Sequence, residues 1–361
     1  MHIDALDTPA LLIDLDVMER NLQRAADYAK AHGLHLRPHT KTHKTPALAR
    51  LQLELGAAGL TVAKVGEAEV MAQVSPPGLL VAYPVLGESK LRRLAEVARK
   101  TQVTVALDNA VVARGLAEAA AAYGVEFGVL AEWDAGMARA GLQSTEELAA
   151  LALGISRLPK LRFEGIAFYP GHVQSSGADG EAALAQVRAA LDAALDRLSQ
   201  QGTPAAIVSG GSTPTLYQSH LIPRMNEIRP GTYIFNDRNT VEVGACGPDD
   251  CAASILVTVV STARPGQVLI DGGSKTFSSD RCRRGGFGYV REAPAAVLTN
   301  LNEEHGYLDV REVRRTYSVG DRLRIVPNHV CTAVNLHERL YGIRGDRVEC
   351  EWAVEARGKL Q

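Results

Sequence analysis

Residues 58–107, AGLTVAKVGEAEVMAQVSPPGLLVAYPVLGESKLRRLAEVARKTQVTVAL, read as strand, helix, strand, helix, strand. The runs 58–63, 79–83 and 103–107 are short, apolar and β-like, whereas 66–73 and 88–100 are rich in Ala, Leu, Glu and Arg. A strand that reaches the next through a helix pairs with it in parallel, with the helix outside. The same rhythm extends both ways. Further strands are expected at 34–38, 125–131, 163–169, 205–209 and 226–229, and further helices at 44–55, 109–122, 145–154 and 180–200. Eight such units are the number at which a parallel sheet closes on itself. The spacing therefore predicts an α/β fold, a (β/α)8 TIM barrel over residues 16–240, entered through an amphipathic helix at 16–32.

After about residue 240 the rhythm stops. Runs 251–262, 267–271, 322–326 and 347–353 are β-rich, and helical patterning nearly vanishes, which predicts a C-terminal all-β domain over 241–361. The strand-like segment 9–15 fits either part, so residues 1–15 are open between the barrel and the β domain. No low-complexity linker separates the two.

With 46% hydrophobic and 22% charged residues, the 361-residue chain can build an ordinary core. A net charge of −2 without polybasic runs argues against nucleic-acid or membrane-surface partners. The start, MHIDALDTPALLIDLD, lacks the basic and then long apolar pattern of a signal peptide, and no apolar run is long enough to span a bilayer. Cys246, Cys251, Cys282, Cys331 and Cys350 are odd in number and irregularly spaced, which argues against a disulfide framework and for a cytoplasmic protein.

In a barrel the chemistry lies where strands end. Strand 7 ends in Ser209-Gly210-Gly211-Ser212-Thr213 and strand 8 in Pro230-Gly231-Thr232-Tyr233. Two adjacent loops with glycine and hydroxyls can cradle a phosphate through backbone N–H groups, or can be tight turns that need glycine for positive φ. Strand 1 ends in Arg37-Pro38-His39-Thr40-Lys41-Thr42-His43-Lys44. A lysine attacks a carbonyl as the free amine, and crowded cations favour that form; the plainer reading is a solvated basic loop. Together the two ends suggest an aldehyde cofactor with a phosphate handle. His172 directly follows strand 6 and is a candidate general base or a simple loop histidine. If His329 and Cys331 lie on a strand, positions i and i+2 share a face and could reach one ion. An imidazole and a thiolate favour zinc, although a lone His-x-Cys is more often packing.

The octapeptide around Lys41 resembles the cofactor-lysine motif of the D-threonine aldolase and D-serine dehydratase-like family, fold-type III pyridoxal-phosphate enzymes related to alanine racemase. The resemblance covers essentially the whole chain. It includes Gly66-Glu67-Ala68-Glu69, Asp134-Ala135-Gly136-Met137-Ala138-Arg139, Arg229-Pro230-Gly231-Thr232-Tyr233, Asp271-Gly272-Gly273-Ser274-Lys275 and Pro327-Asn328-His329-Val330-Cys331. It implies that Lys41 carries pyridoxal 5'-phosphate as a Schiff base and that Arg139 sits by the ring oxygen, with Tyr169 flanking the ring. Ser212, Thr213, Gly231 and Thr232 would hold the phosphate with Tyr233 beside them. His329 and Cys331 would hold a divalent metal, zinc before manganese or magnesium. It also implies a homodimer.

The implied activity is a lyase acting on a β-hydroxy-D-amino acid. Retro-aldol cleavage to glycine and an aldehyde is expected first. Dehydration to a 2-keto acid and ammonia is the alternative, because aldolases of the family carry His-x-Asp where this chain, like the dehydratases, has His-x-Cys. A non-catalytic pyridoxal-phosphate buffer would lack the β domain and the metal pair. Racemase-like activity would need a tyrosine delivered from the β domain, and none stands out.

Overall fold

The computed structural model describes residues 1–361 apart from Ser176. The helices start and stop where local chemistry dictates. Asn109 accepts the Val112 amide to open α5 (Ala110–Tyr123), and Gly124 closes it in the left-handed region at φ 66°. Ser144 opens α6 (Thr145–Ser156) the same way through the Glu147 amide. The other helices are α1 (Leu15–Ala31), α2 (Pro46–Glu54), α3 (Val65–Met71), α4 (Glu88–Ala98), α7 (Ala178–Gln200), α8 (Arg238–Glu242), α9 (Ser274–Phe277) and α10 (Val330–Leu336).

Strand β1 (Ala10–Asp14) precedes the eight parallel strands β2 (His35–Leu36), β3 (Leu60–Val62), β4 (Gly78–Val81), β5 (Gln102–Leu107), β6 (Phe127–Trp133), β7 (Leu161–Phe168), β8 (Ile207–Gly210) and β9 (Glu227–Ile228). All eight fall where the sequence rhythm puts them. Their order is β2-β9-β8-β7-β6-β5-β4-β3. The ends of that row meet just past β2: His39 bridges Thr61 of β3, with Thr40 N–H donating to Thr61 O and Thr61 N–H to Pro38 O, each at 2.8 Å. The sheet is therefore closed. Leu80, Ala106, Leu130 and Ala167, from four successive strands, pack in one cluster with Ile207.

The second compact unit gathers residues 1–23, 42–45 and 232–357. Its strands are β10 (Ala253–Arg264), β11 (Gln267–Ile270), β12 (Gly288–Val290), β13 (Val297–Leu301), β14 (Gly306–Asp309), β15 (Arg322–Pro327), β16 (Arg339–Arg344) and β17 (Arg347–Ala353). They form one sheet with β1, in the order β11-β14-β13-β12-β15-β10-β1-β16-β17. The open segment 9–15 thus lies in this sheet, antiparallel to β10 and parallel to β16, with Leu11, Leu12 and Ile13 at 0% exposure. Strands β12 to β14 and β16 escape the sequence reading because each is six residues or fewer and carries interspersed polar or glycine positions. The expectation of almost no helix here is also corrected by α8, α9 and α10, all too short to show a helical period. Among the described residues no helix is long and apolar enough to cross a membrane.

Candidate active site

At the barrel mouth the loop carrying Lys41 is tied to the loop after β9: His39 N–H donates to Pro230 O at 2.9 Å, next to Gly231. That loop is in turn tied to the turn after β8, Arg229 N–H donating to Gly210 O at 2.9 Å. Three neighbouring strand ends thereby place exposed Lys41 and the two glycine-rich turns at one end of the barrel. Glycine is needed here for the turn and for packing. Gly211 has φ 79°, and a Cβ on Gly210 would lie 2.3 Å from the Phe168 ring. Ser212 is buried with its hydroxyl 3.1 Å from that of Thr215, and Thr213 is half-buried beside it. Hydroxyls and close-packed backbone here fit a phosphate.

The motif from Asp134 to Arg139 folds around a carboxylate. Asp134 Oδ1 accepts the amides of Gly136, Met137 and Ala138 at 3.0, 2.9 and 3.2 Å. The turn needs Gly136 at φ 108° and carries Ala138 at φ 55°. Arg139 follows directly, its guanidinium 4.9 Å from the centroid of the Tyr169 ring. A Cβ on Gly171 would lie 2.1 Å from that ring, so glycine lets Tyr169 adopt its place. Exposed His172 lies against Gly136, where a Cβ would come within 3.0 Å of the imidazole. Arg139, Tyr169 and His172 are thus brought together around one turn.

The cations counted around Lys41 have partners of their own, and one of them, Arg37, is paired with an anion. Arg37 Nε pairs with Glu227 at 2.7 Å, His43 Nδ1 accepts the Thr45 amide, and the buried Lys44 ammonium donates to Ala356 O. The sequence reading counted charges but could not see these partners. It also missed the polar core beneath the mouth. Glu227 accepts from Ser209 Oγ at 2.6 Å, and Arg229 donates to Ser209 Oγ at 2.6 Å and to Phe168 O at 3.0 Å. Burial pulls Arg229 below its ordinary value, against the opposing pull of Glu227 and Glu132. Burial likewise pushes Glu132 up, with Arg229 and Arg139 pulling it back. The signal for these residues was a charge inside or at the end of an apolar strand.

In the β unit, His329 and Cys331 do not lie on a strand. His329 is the N-cap of α10 and Cys331 sits in its first turn, so the two-residue face argument fails. Cys331 nevertheless lies close enough to His329 to favour a proton on its imidazole. Fully buried Asp237 fixes His329: its Oδ2 lies 3.0 Å from His329 Nδ1 and accepts the Val330 amide at 3.0 Å. Its Oδ1 accepts the Thr240 amide at 2.9 Å. Cys331 Sγ lies 3.2 Å from Thr42 Oγ1, the residue next in the chain to Lys41, and 3.8 Å from Thr232 Oγ1. Tyr233, next to Thr232, is buried. Burial works against charge on His329, but the negative charges of Cys331 and Asp237 prevail and hold the imidazolium up to about 11. Neighbours that retain a proton so firmly also suit a divalent cation in its place. A carboxylate on the far nitrogen is the usual support of a metal-bound histidine. Among the described residues no set of three or more His, Cys, Asp or Glu that could hold a metal ion converges.

A closed barrel with a lysine and two glycine-rich turns at the mouth, joined in one chain to a β unit, defines the alanine racemase-like class of barrel proteins. The sequence matches the alanine racemase N-terminal domain family over residues 13–239 and the serine dehydratase domain family over 252–343, and the chain belongs to this family. A 3-hydroxy-D-aspartate aldolase of Paracoccus denitrificans (strain Pd 1222) is 34% identical, the match covering 99% of this chain and 94% of that protein. The crystal structure of a D-threonine aldolase from Filomicrobium marinum superposes with a TM-score of 0.94 at 32% identity, covering 99% of this chain and 98% of that one. A D-threo-3-hydroxyaspartate dehydratase, solved as a cysteine-to-alanine mutant in the metal-free form, gives 0.89 at 29% identity over 98% of each chain. The relatives are lyases, and this chain is an enzyme of that lyase family.

Proposed function

We propose that the chain is a pyridoxal-phosphate- and divalent-metal-dependent lyase that cleaves a β-hydroxy-D-amino acid to glycine and an aldehyde. The observation that carries the reading is the hydrogen-bonded row of strand ends that holds Lys41 beside the two glycine-rich turns. Lys41 would hold the cofactor, Ser212, Thr213, Gly231 and Thr232 its phosphate with Tyr233 adjoining, and Tyr169 with Arg139 its ring. Bound there, the cofactor supplies an electron sink for the pair released when a bond to Cα breaks. His329 and Cys331 would hold the metal, zinc by their donor types, which supplies a Lewis acid for the β-oxygen.

The chain's own part is positioning and proton transfer. Asp237 keeps one ring nitrogen of His329 occupied, so that the other is the one available to the ion. His172 would take the proton of the β-hydroxyl as the Cα–Cβ bond breaks and the aldehyde leaves. Lys41 would then return a proton to Cα, giving glycine. The resemblance also carries a homodimer, and the free cysteines support a cytoplasmic setting.

The cysteine at 331 supports a second reading, dehydration. There Lys41 removes the Cα proton, hydroxide leaves Cβ, and a 2-keto acid and ammonia follow. The deciding experiment supplies D-threonine, D-serine and D-threo-3-hydroxyaspartate to the protein with pyridoxal phosphate and zinc or manganese. Glycine with an aldehyde supports the aldolase. Ammonia with a 2-keto acid overturns it in favour of the dehydratase. Lys41→Ala should lose both the visible absorbance of bound cofactor and all turnover.

A further inference from the structure

Segment 248–252 leads into β10, and three charged residues are tied to its backbone. Arg20 of α1 donates through Nη2 to Asp249 O at 3.0 Å. Arg291, just past β12, donates through Nη2 to Cys251 O at 2.7 Å. Asp14, the last residue of β1, donates its amide to Ala252 O at 2.9 Å. All three line one cavity of about 400 Å³ in the β unit, a size that suits a small molecule.

Two charges in this cavity are left unmatched. Arg20 is balanced by Asp250 Oδ1 at 3.8 Å, and half of its side chain lies in solvent. Arg291 is half-buried, and its guanidinium bonds only the neutral Cys251 carbonyl. Asp14 is half-buried as well; its Oδ1 accepts the Val17 amide at 3.1 Å, and its side chain has no other partner among the described residues. Arg291 and Asp14 pair neither with each other nor with any other charged side chain among the described residues. A charge drawn partly out of water is costly unless a partner offsets it. Two such charges of opposite sign on one wall call for a molecule that itself carries both signs.

The rest of the lining narrows the class. Exposed Asp249 adds a second carboxylate, so a plain anion fits poorly. Tyr289 and Arg291 stand two apart on an extended run, the Arg291 amide continuing the ladder to Arg324 O at 2.9 Å, so their side chains share a face. The Tyr289 hydroxyl has no partner among the described residues and is free to donate to a carboxylate beside Arg291. Val17 and Pro248 supply apolar surface.

We propose that this cavity binds a free α-amino acid, its carboxylate on Arg291 and Tyr289 and its ammonium on Asp14 and Asp249. A guanidinium fork matches a carboxylate in one plane, and an ammonium donates to carboxylates, so both ends make charge-assisted hydrogen bonds. A small side chain rests on Val17 and Pro248. The site uses neither cofactor nor metal, and it holds whichever reaction the barrel mouth performs.

The test titrates the full-length protein, carrying bound pyridoxal phosphate and no free cofactor, with L-alanine by calorimetry. The cofactor absorbance is followed in parallel, because condensation with the aldehyde would change it. A binding heat that leaves the absorbance unchanged is expected, with Kd on the order of 1 mM. Propionate and ethylamine each carry one half of the zwitterion and should bind about tenfold or more weakly. Arg291→Gln and Asp14→Asn should each weaken alanine by about tenfold or more, and Asn keeps an oxygen for the Val17 amide. Propionate binding as tightly as alanine would make this a plain anion site and overturn the proposal. No alanine heat, heat that always accompanies an absorbance change, or an affinity unmoved in either variant would overturn it too. The comparison of the three small molecules needs wild-type protein alone, so it decides the matter even where a variant fails to fold.

Discussion

Replacing Asp237 by Asn tests whether one buried carboxylate organises the His329–Cys331 pair. The substitution keeps size and shape but exchanges one oxygen for an amino group that cannot accept. Asp237 serves three donors through two oxygens: Thr240 N–H on Oδ1, and Val330 N–H with the His329 ring on Oδ2. Either orientation of the amide therefore confronts at least one N–H with another N–H, and both Thr240 and Val330 are buried. An orphaned buried donor costs about 1–3 kcal/mol, and the lost charge-assisted bond to the imidazole about as much again. Discounting the half-exposed imidazole, the loss is roughly 2–4 kcal/mol, a fall in melting temperature on the order of 5–15 °C for a unit of this size. The assay is thermal unfolding of the metal-free protein followed by zinc competition against a chelating dye. Zinc affinity should fall about 10- to 100-fold, as when the carboxylate behind a metal-bound histidine is removed. A variant that melts within about 1 °C of wild type and binds zinc equally well would refute the reasoning, because no repacking supplies a third acceptor at that position.

Cys331→Ala should lower zinc content and turnover together; zinc unchanged by elemental analysis would remove Cys331 from the ligand set. His172→Gln should keep the cofactor absorbance and slow turnover by about 10²- to 10⁴-fold, and full turnover would return it to an ordinary loop histidine. Gly171→Ala places a methyl within 2.1 Å of the Tyr169 ring, so the ring must move; pyridoxal-phosphate affinity by absorbance titration should fall about tenfold or more, and an unchanged value would take Tyr169 out of the cofactor site. In the metal-free protein His329 is raised from 6.5 to about 11, so its charge contributes stability that is full below about pH 6.5 and is lost as pH rises through about 11. His329→Gln should flatten that alkaline arm of the melting curve against pH, and identical slopes in the two proteins would show that Asp237 and Cys331 do not hold the proton.

What the sequence made legible follows from the range over which each signal acts. The eight barrel strands announce themselves because an apolar run bounded by turn residues is local, and each repeats the same pattern as the next. The strand ends follow by counting, which is how Lys41, Tyr169, His172 and Ser212 can be placed at a mouth before any coordinate exists. The motif from Asp134 to Arg139 is legible as a string, but its logic is three amides on one carboxylate, which no pattern of hydrophobicity encodes. Charge is the least legible of all. Four cations beside Lys41 suggest a field that lowers its proton affinity, yet Glu227 lies 190 residues from Arg37 and Ala356 lies 312 from Lys44. The groups there whose proton affinity is visibly shifted are the half-buried Arg229 and Glu132, both moved chiefly by burial. The His329 and Cys331 pair shows the converse. The geometric argument from a strand was mistaken, but a first helical turn also brings residues two apart close to each other when the first is the cap. Asp237, 92 residues earlier, then decides which nitrogen faces outward. The chemistry of this pair is therefore set by a carboxylate that sequence spacing gives no reason to choose, and that is why its removal is the sharper test than removal of either proposed ligand.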